Sequence, residues 1–425
     1  MIAVVHPSSI AGSVKAPRSK SDMQRACAAA LLHQGTTTIK DPGRSNDDAA
    51  ALDVISKLGA TVNDQGDELT ILSNGVKPKY DEINCGESGL GIRMFTPIAA
   101  LSSRTLTISG IGSLVNRPMN FFDEIFPQLG IGISSNNGKL PLQIQGPLKP
   151  SNITVDGSLS SQFLTGLLMA YSASNPQHVT ITVKDLKSKP YIDMTLKVIE
   201  AFGMKSPINN NYENFYFDNN SSDQNKRDVV YTIEGDWSGA AFLFVSGAIA
   251  NEISITGMRN DSVQADKKIL EAIEDAGAII KYQHGTYIVS PSELHAFEFD
   301  ATECPDLFPP LVSLAAYCKG ITRIKGAKRL THKESNRALT LQDTFGSLGV
   351  NIDLDDDWMI VHGGSSLKAA HVHSHHDHRI AMAAAVAALR ADGPVKIENA
   401  EAINKSYPAF YNDLQTLGAH IVIEH

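Results

Sequence analysis

Residues 15–25 read Lys-Ala-Pro-Arg-Ser-Lys-Ser-Asp-Met-Gln-Arg, and a segment rich in alanine follows them. Several cations and two hydroxyls therefore stand where a helix is predicted to begin. Ser19 or Ser21 suits the N-cap, which leaves backbone N–H groups at the positive end of the helix dipole. Lys20 and Arg25 add full positive charge one turn apart. The stretch predicts a site for an anion such as phosphate, and a solvated basic helix start is the plain alternative.

A glycine recurs along the chain, each time after an amphipathic helix pattern and before a strand pattern, at intervals of 69 to 74 residues. A glycine just beyond a helix C-terminus is typical of a backbone with positive φ. The six glycines are Gly59, Gly130, Gly203, Gly277, Gly349 and Gly418. They predict six copies of one structural unit.

Two further patterns repeat with the same spacing as the glycines. One is a short β-branched strand, and the other is an apolar helix, rich in small residues, that precedes it. The predicted strands span 37–40, 105–109, 179–183, 253–256, 322–325 and 395–398. The predicted helices span 25–33, 95–102, 163–171, 240–250, 307–317 and 381–389. Because these helices are apolar nearly all round, we expect them to be central. Six repeats of apolar helix, strand, loop, amphipathic helix, glycine and strands account for nearly the whole chain.

Composition narrows the class of protein. The chain of 425 residues should form two or more domains. Because its net charge is −9, neither nucleic acid nor an anionic membrane is an expected partner. The longest apolar run, 380–389, is too short to span a bilayer, and the N-terminal residues lack the basic region of a signal peptide. The cysteines, Cys27, Cys85, Cys304 and Cys318, show no C-x-x-C spacing. Reduced, mostly buried cysteines and a cytoplasmic location are expected.

Charged and hydroxylated residues concentrate at two equivalent places in the repeat, namely the start of the apolar helix and the loop before the amphipathic helix. If they meet on one face, they form a site for small, multiply anionic molecules. Neither G-x-x-x-x-G-K-[ST] nor G-x-G-x-x-G is present. A repeat scaffold that only binds proteins is the alternative, and ordinary loops would be typical of it. The charged loops found here favour an enzyme.

Five blocks resemble, in order, those of the enolpyruvyl transferase family, and in particular of its branch that acts on 3-phosphoshikimate. The blocks are 19–21 with Arg25, 156–163, 188–193, 333–337 and 377–379. The resemblance spans the chain and implies an α/β, two-lobed fold, an inside-out α/β barrel of six βαβαββ-type repeats, three per lobe. It also implies one lobe from 1–17 and 236–425, a second from 18–235, and an active site in the cleft between them.

The resemblance implies transfer of the enolpyruvyl group of phosphoenolpyruvate to the 5-hydroxyl of 3-phosphoshikimate through a tetrahedral intermediate, with C–O cleavage and release of phosphate. The implied catalytic residues are Asp306 as base, Glu334 as acid, Lys405 as proton relay, and Lys20. The phosphoenolpyruvate ligands would be Lys20, Gly89, Arg117, Gln162, Arg337, Arg379 and Lys405. Those of 3-phosphoshikimate would be Lys20, Ser21, Arg25, Ser160, Ser161, Gln162, Ser188, Asp306 and Lys333. No cofactor or metal is implied, and a monomer is expected.

The sibling branch, which acts on UDP-N-acetylglucosamine, is the nearest alternative. That branch carries a reactive cysteine five residues before an Arg-Pro pair, whereas Gly112 stands five residues before Arg117 here. The blocks at 160–162 and 188–191 favour the 3-phosphoshikimate branch.

Four residues depart from the family pattern: Arg18, Glu87, Leu90 and Arg329. Glu87 and Leu90 replace an Asn and a Thr of the family's Asn-Ala-Gly-Thr block. A carboxylate near bound phosphoenolpyruvate should weaken binding unless a cation such as Arg93 pairs with it. Altered sensitivity to glyphosate, a family inhibitor, is therefore expected.

Histidines crowd one short segment as His371, His373, His375, His376 and His378. Alternating histidines on a strand share a face and can suggest a metal site, as in a metal hydrolase. An exposed polar strand that leads into a helix start at 377–379 is the structural alternative, and it agrees with a reaction that needs no metal.

Overall fold

The computed structural model describes residues 1–219, 228–331 and 333–424. The chain divides into two compact units. The middle unit is Lys20–Ile233, and the terminal unit is Met1–Ser19 together with the chain from Glu234 onward. Each unit is built on the same repeat.

The first half of the chain contains fourteen strands and six α-helices within the described residues. They are β1 (Ile2–Val5), β2 (Gly12–Lys15), α1 (Lys20–Leu32), β3 (Gly35–Lys40), α2 (Asn46–Lys57), β4 (Thr61–Asp64), β5 (Glu68–Ser73), β6 (Glu82–Asn84), α3 (Gly89–Ala99), β7 (Thr105–Ser109), α4 (Asn120–Ile125), β8 (Gly132–Ser135), β9 (Leu142–Gln145), β10 (Ile153–Asp156), α5 (Ser161–Ser174), β11 (Val179–Lys184), α6 (Lys189–Ala201), β12 (Ile208–Asn210), β13 (Asn214–Phe217) and β14 (Val229–Thr232).

The second half, as far as it is described, adds ten strands and six α-helices. They are α7 (Trp237–Ile249), β15 (Ile253–Thr256), α8 (Ile269–Asp275), β16 (Ile279–Gln283), β17 (Thr286–Ser290), β18 (Glu298–Asp300), α9 (Phe308–Ala315), β19 (Gly320–Lys325), α10 (Arg337–Ser347), β20 (Asn351–Asp355), β21 (Trp358–Gly363), β22 (Ala370–His373), α11 (His378–Ala388), β23 (Val395–Glu398), α12 (Phe410–Thr416) and β24 (Ile421–Glu424). Short 3₁₀ helices, among them Pro305–Leu307 and Ala400–Lys405, lie in the loops.

Among the described residues, six four-stranded sheets share one strand order, three sheets in each unit. In the order β6-β7-β9-β8, the first two strands are parallel and the last two pair antiparallel. The other sheets run β14-β3-β5-β4, β10-β11-β13-β12, β2-β15-β17-β16, β18-β19-β21-β20 and β22-β23-β1-β24. The six predicted strands all occupy the second place in this order. The six-repeat α/β prediction, with three repeats per lobe, is confirmed.

Three sheets are completed by strands that are distant in sequence. β14 pairs in parallel with β3, and β2 pairs in parallel with β15. β1 lies between β23 and β24 and is antiparallel to both. The N-terminal strand therefore closes the last sheet of the terminal unit.

The apolar helices form the core of each unit, as predicted. α1, α3 and α5 contact one another in the middle unit, and α7, α9 and α11 do so in the terminal unit. Every residue of α3, α7 and α11 is buried. Small residues such as Gly166 on α5 permit this packing, because a Cβ at position 166 would lie 2.7 Å from the Arg93 carbonyl oxygen on α3.

All six glycines of the repeat have positive φ, from 64° at Gly203 to 127° at Gly59. Close packing adds to the requirement at Gly59, where a Cβ would lie 2.7 Å from the Lys77 carbonyl oxygen. The glycine prediction is confirmed, because only glycine adopts this backbone conformation without strain.

Two further findings bear on the compositional predictions. The cysteines are free and buried, which confirms that prediction. In the part of the chain that the structure describes, no helix is long and apolar enough to cross a membrane.

Candidate active site

In the middle unit, the start of α1 places two predicted cations beside oxygen acceptors. Lys20 Nζ lies 3.0 Å from Asp47 Oδ2. Arg25 is 1% exposed, and its guanidinium donates to Thr195 Oγ1 (2.9 Å), the Ser21 carbonyl (2.8 Å) and the Tyr191 carbonyl (3.2 Å). Burial lowers the pKa of Arg25 to about 10, because nearby groups offset only part of the lost hydration. An anionic ligand would stabilise the charged guanidinium and so raise the pKa of Arg25 again.

The starts of α3 and α5 place three predicted residues close together. A Cβ built on Gly89 would lie 2.6 Å from Arg117 Nη1 and 3.7 Å from Gln162 Oε1. Arg93, which was not predicted as a site residue, donates to Gln162 Oε1 at 2.8 Å, and its guanidinium lies 5.0 Å from the centre of the Phe163 ring. Gly89 thus permits a close approach by two basic side chains.

The predicted serines lie at helix starts. Ser160 is the N-cap of α5 and accepts a hydrogen bond from the Gln162 N–H at 3.3 Å, and Ser161 is the first residue of that helix. Ser188 precedes α6 in a left-handed conformation, with φ 57°, and is buried. Helix N-termini supply N–H donors suited to phosphate oxygens.

Glu87 lies against the loop that leads to Arg117. A Cβ built on Gly112 would overlap Glu87 Oε1, so the carboxylate fills the space that a side chain at position 112 would need. Leu90 is buried in the first turn of α3. Arg93 directs one nitrogen to Gln162 Oε1.

In the terminal unit, seven residues form one network of ion pairs, which we call the arginine–carboxylate network. It consists of Asp306, Lys333, Glu334, Arg337, Asp377, Arg379 and Lys405. Six of them are predicted site residues. The seventh, Asp377, belongs to the family block 377–379, in which only Arg379 is a predicted site residue.

Asp306 accepts contacts from three cations. Lys333 Nζ and Arg337 Nη1 lie 3.1 and 2.9 Å from its Oδ1. Arg379 Nη2 lies 3.4 Å from its Oδ2. Burial raises the pKa of the Asp306 carboxyl, but the charges of these cations outweigh burial and hold that pKa well below its usual range. Asp306 is therefore an ionised carboxylate in this state.

Arg337 and Asp377 form the buried centre of the network, and both side chains are 0% exposed. Arg337 Nε and Nη2 donate to the two Asp377 oxygens at 3.0 and 3.2 Å. Asp377 is also the N-cap of α11 and accepts from the Arg379 N–H at 3.0 Å. Burial lowers the pKa of Arg337, but Asp377, Glu334 and Asp306 outweigh burial and raise it overall.

Glu334 links the centre of the network to Lys405. Its Oε2 accepts from Arg337, and its Oε1 lies 3.9 Å from Lys405 Nζ. Lys405 ends the short helix Ala400–Lys405 and is buried. Burial lowers the pKa of Lys333, and the attraction of Asp306 only partly opposes that. Carboxylates and ammonium groups in such contact can exchange protons with a substrate between them.

Arg18 and Arg329, the other two residues that depart from the family pattern, lie in the terminal unit. Arg18 forms an isolated backbone bridge with Gly235. Arg329 donates to the Thr302 carbonyl. Neither contact is with a predicted site residue.

The histidine segment divides into a strand and a turn. β22 ends at His373, and His375 and His376 have φ values of 54° and 56°. The rings of His373 and His375 lie 4.9 Å apart, and His371 pairs with Glu398 at 2.8 Å. Among residues 1–219, 228–331 and 333–424, no group of three or more His, Cys, Asp or Glu could hold a metal ion.

Known relatives match almost the whole chain. The profile of the EPSP synthase (3-phosphoshikimate 1-carboxyvinyltransferase) family matches residues 4–414. The 3-phosphoshikimate 1-carboxyvinyltransferase of Clostridium kluyveri is 36% identical over 419 residues, 98% of this chain and 97% of that protein. The enzyme of the same name from Methanocorpusculum labreanum is 35% identical over 419 residues, 98% of each chain.

Solved structures agree in fold. An EPSP synthase from Acinetobacter baumannii has a TM-score of 0.79 at 23% identity, covering 99% of this chain and 100% of that one. The enolpyruvyl transferase NikO from Streptomyces tendae has a TM-score of 0.78 at 17% identity, covering 99% and 98%. At these identities the structural likeness supports the fold alone. The profile and the curated relatives show that the chain belongs to the EPSP synthase (3-phosphoshikimate 1-carboxyvinyltransferase) family.

Proposed function

We propose that the chain transfers the enolpyruvyl group of phosphoenolpyruvate to the 5-hydroxyl of 3-phosphoshikimate and releases phosphate, as a step of the shikimate pathway toward chorismate and the aromatic amino acids. The observation that carries this proposal is that relatives named 3-phosphoshikimate 1-carboxyvinyltransferase match 98% of the chain. The cation-rich groups support it, because both substrates are phosphorylated carboxylates. The same names favour 3-phosphoshikimate over UDP-N-acetylglucosamine as acceptor.

In this proposal the middle unit supplies most ligands of 3-phosphoshikimate. Arg25 binds its carboxylate, since a buried guanidinium bonded to neutral oxygens gains most from a negative partner. The helix-start hydroxyls of Ser160 and Ser161 bind its phosphate, together with Ser188. The other proposed ligands are Lys20, Ser21, Gln162, Asp306 and Lys333.

Phosphoenolpyruvate would lie where Gly89 leaves room beside Arg117 and Gln162. Lys20 would contribute from the same unit. Arg337, Arg379 and Lys405 are the proposed ligands from the terminal unit. Several cations on one small trianion are expected, because each neutralises only part of the charge.

The proposed chemistry needs a base and an acid. Asp306 would take the proton of the 5-hydroxyl as its oxygen attacks C2 of phosphoenolpyruvate, and Glu334 would protonate the methylene carbon. The tetrahedral adduct then loses a proton from that carbon and expels phosphate, with Lys405 and Lys20 assisting proton movement. No cofactor or metal enters these steps.

The ion pairs of Asp306 make it a weak base before the substrates bind. Anionic substrates would draw Lys333 and Arg379 toward themselves and raise the pKa of Asp306 toward the range of a useful base. Substrate binding therefore prepares Asp306 to act as a base in this proposal.

We also propose a monomeric, cytoplasmic enzyme. The four free, buried cysteines support a reducing compartment. Light scattering on a size-exclusion column and fractionation of the source cells would test these two points. A stable dimer, or recovery outside the cytoplasm, would contradict them.

The reaction is tested by mixing the purified protein with phosphoenolpyruvate and 3-phosphoshikimate in the presence of a chelator, and following phosphate release with product mass. We expect phosphate and an enolpyruvyl-shikimate phosphate in equal amounts. UDP-N-acetylglucosamine serves as the alternative acceptor. Turnover with that acceptor alone, or with neither, would overturn the proposal.

A further inference from the structure

A single hydrogen bond between buried side chains joins the starts of α1 and α3. Ser88 Oγ donates to Gln24 Oε1 at 2.9 Å, across 64 residues of sequence. Gln24 is 0% and Ser88 1% exposed. Neither residue is among the predicted site residues or the proposed ligands.

The Ser88 hydroxyl has two tasks. It is the N-cap of α3, where its oxygen accepts from the Gly91 N–H at 2.9 Å, and it gives its proton to Gln24. A Cβ on Gly91 would lie 3.0 Å from Ser88 Oγ and 3.4 Å from Gln24 Oε1. The absence of a side chain at Gly91 thus leaves room for both bonds, and the hydroxyl orientation is fixed.

A glutamine is energetically unfavourable at the buried position 24. Its Nε2 is buried and has no hydrogen-bond partner among the residues that the structure describes. Burying an unpartnered donor is unfavourable, and a methionine or leucine would fill similar space without that loss. The bond that its oxygen makes with Ser88 is therefore the physical reason for a glutamine here, and local costs of this kind are typical of functional sites.

Each residue of the Gln24–Ser88 pair directly precedes a residue of one proposed anion subsite in the middle unit. Gln24 directly precedes Arg25 on the helix that also bears Lys20 and Ser21. Ser88 directly precedes Gly89, whose backbone faces Arg117. Any shift between the starts of α1 and α3 changes the distance between these two subsites.

We propose that Gln24 and Ser88 are a positioning pair, which fixes the 3-phosphoshikimate subsite on α1 relative to the phosphoenolpyruvate subsite around Gly89. This inference rests on the proposed function. Neither residue is a proposed ligand, so each subsite keeps its own ligands when the Gln24–Ser88 hydrogen bond is lost. Attack of a hydroxyl on a carbon depends strongly on their separation, so misplacement lowers the rate more than it lowers affinity.

The test uses the Gln24→Met variant, which keeps the volume and removes the acceptor. Calorimetry would give the affinity for 3-phosphoshikimate alone, and steady-state kinetics would give kcat. We expect the affinity to stay within about threefold and kcat to fall by roughly 10- to 100-fold, since misplacement by about 1 Å can cost that much. Thr96→Val is the matched control, because it removes a buried hydroxyl that bonds only within α3, to the Ile92 carbonyl at 2.6 Å. It should leave kcat near wild type.

A second pair of variants guards against misfolding. Ser88→Ala should lower kcat as Gln24→Met does, Ser88→Thr should restore it, and the double variant should be no slower than Ser88→Ala alone. An unchanged kcat in folded Gln24→Met, or an affinity loss as large as the kcat loss, would overturn the inference. Turnover of the wild type decides the proposed function separately, so the two failures are distinguishable.

Discussion

One buried arginine in each unit has opposite surroundings. In the middle unit, Arg25 bonds two carbonyls and a hydroxyl, and burial lowers its pKa to about 10. In the terminal unit, Arg337 bonds three carboxylates, which raise its pKa. The charge of Arg25 is offset only in part, by Asp22 nearby, so an added anion would stabilise it strongly, whereas three carboxylates already offset the charge of Arg337. The difference suggests that the middle unit mainly binds substrate anions and that the terminal unit mainly moves protons.

The largest effect is expected in the terminal unit. Glu334→Gln keeps one acceptor oxygen for Arg337 but removes the carboxyl group that would donate the proton, so kcat should fall by roughly 10²- to 10⁴-fold. Quenched-flow measurement of phosphate release checks this. Glu293→Gln, at an exposed carboxylate paired with Lys319, is the control and should be silent. A loss below about threefold in Glu334→Gln would remove Glu334 from the proton chemistry.

The next effect concerns affinity in the middle unit. Arg25→Met removes the guanidinium proposed at the substrate carboxylate, and the dissociation constant of 3-phosphoshikimate should rise by roughly 10- to 150-fold, as for a lost charged hydrogen bond. Calorimetry checks this. Arg104→Met, at an exposed arginine of the same unit paired with Asp81, is the control. Equal affinity in Arg25→Met and wild type would contradict the comparison.

One carboxyl in each unit should make the free energy of unfolding depend on pH, and the two dependences are opposite in sign. Burial raises the pKa of Asp48 to about 7, although hydrogen bonds from Ser45 oppose it. Unfolded Asp titrates near pH 4, so the folded protein holds an extra proton between about pH 4 and 7 and loses stability as pH rises through that window. Asp306 has the opposite shift, so its stabilisation persists above about pH 4 and is lost as pH falls further.

Asp48→Asn should therefore remove about 2 to 3 kcal/mol of the stability loss between pH 5 and pH 8. Urea unfolding at both pH values measures this. Asp53→Asn on the same helix is the control, because Asp53 is half exposed and pairs with Lys57. A pH dependence identical to wild type in Asp48→Asn would refute the assignment.

A smaller effect is expected at Gly89. A Cβ there would lie 2.6 Å from Arg117 Nη1, the end of a flexible side chain, so Gly89→Ala should displace Arg117 without unfolding the unit. We expect KM for phosphoenolpyruvate to rise about tenfold, as for partial loss of one charged contact. Gly346→Ala on α10 has nothing within 4 Å of the new Cβ and serves as the control. An unchanged KM in Gly89→Ala would separate Gly89 from the subsite.

The smallest effect is expected at Glu87. Glu87→Gln removes a charge near the proposed phosphoenolpyruvate subsite, so KM for that substrate should fall by about two- to fivefold. The glyphosate inhibition curve should shift as well. Glu124→Gln at an exposed position on α4 is the control. Superimposable curves for Glu87→Gln and wild type would dismiss the idea that Glu87 tunes this subsite.

Local patterns predicted most of the fold. The six glycines with positive φ mark the repeat, because a helix end that turns into a strand needs that conformation whatever surrounds it. The apolar runs alone place two helix starts too late: α3 begins at Gly89 and α7 at Trp237, whereas the predicted runs begin at 95 and 240. The capping residues Ser88 and Asp236 set these starts, and hydrophobic patterns do not register them.

Contacts between distant segments could not be predicted from local pattern. β1 joins the last sheet by pairing with strands near the other end of the chain. Asp377 meets Arg337 across 40 residues, and Gln24 meets Ser88 across 64. The family blocks indicated which residues matter, but only the packed helices show which side chains hold them.

The division of labour between the units is tested most directly with Asp306→Asn. This variant removes the proposed base and keeps the shape of the side chain. Calorimetric titration with 3-phosphoshikimate should give a dissociation constant within about fivefold of wild type, while turnover falls by at least about 100-fold. An affinity loss as large as the loss of turnover would contradict the account, because Asp306 would then act only as a ligand of 3-phosphoshikimate and not as the base.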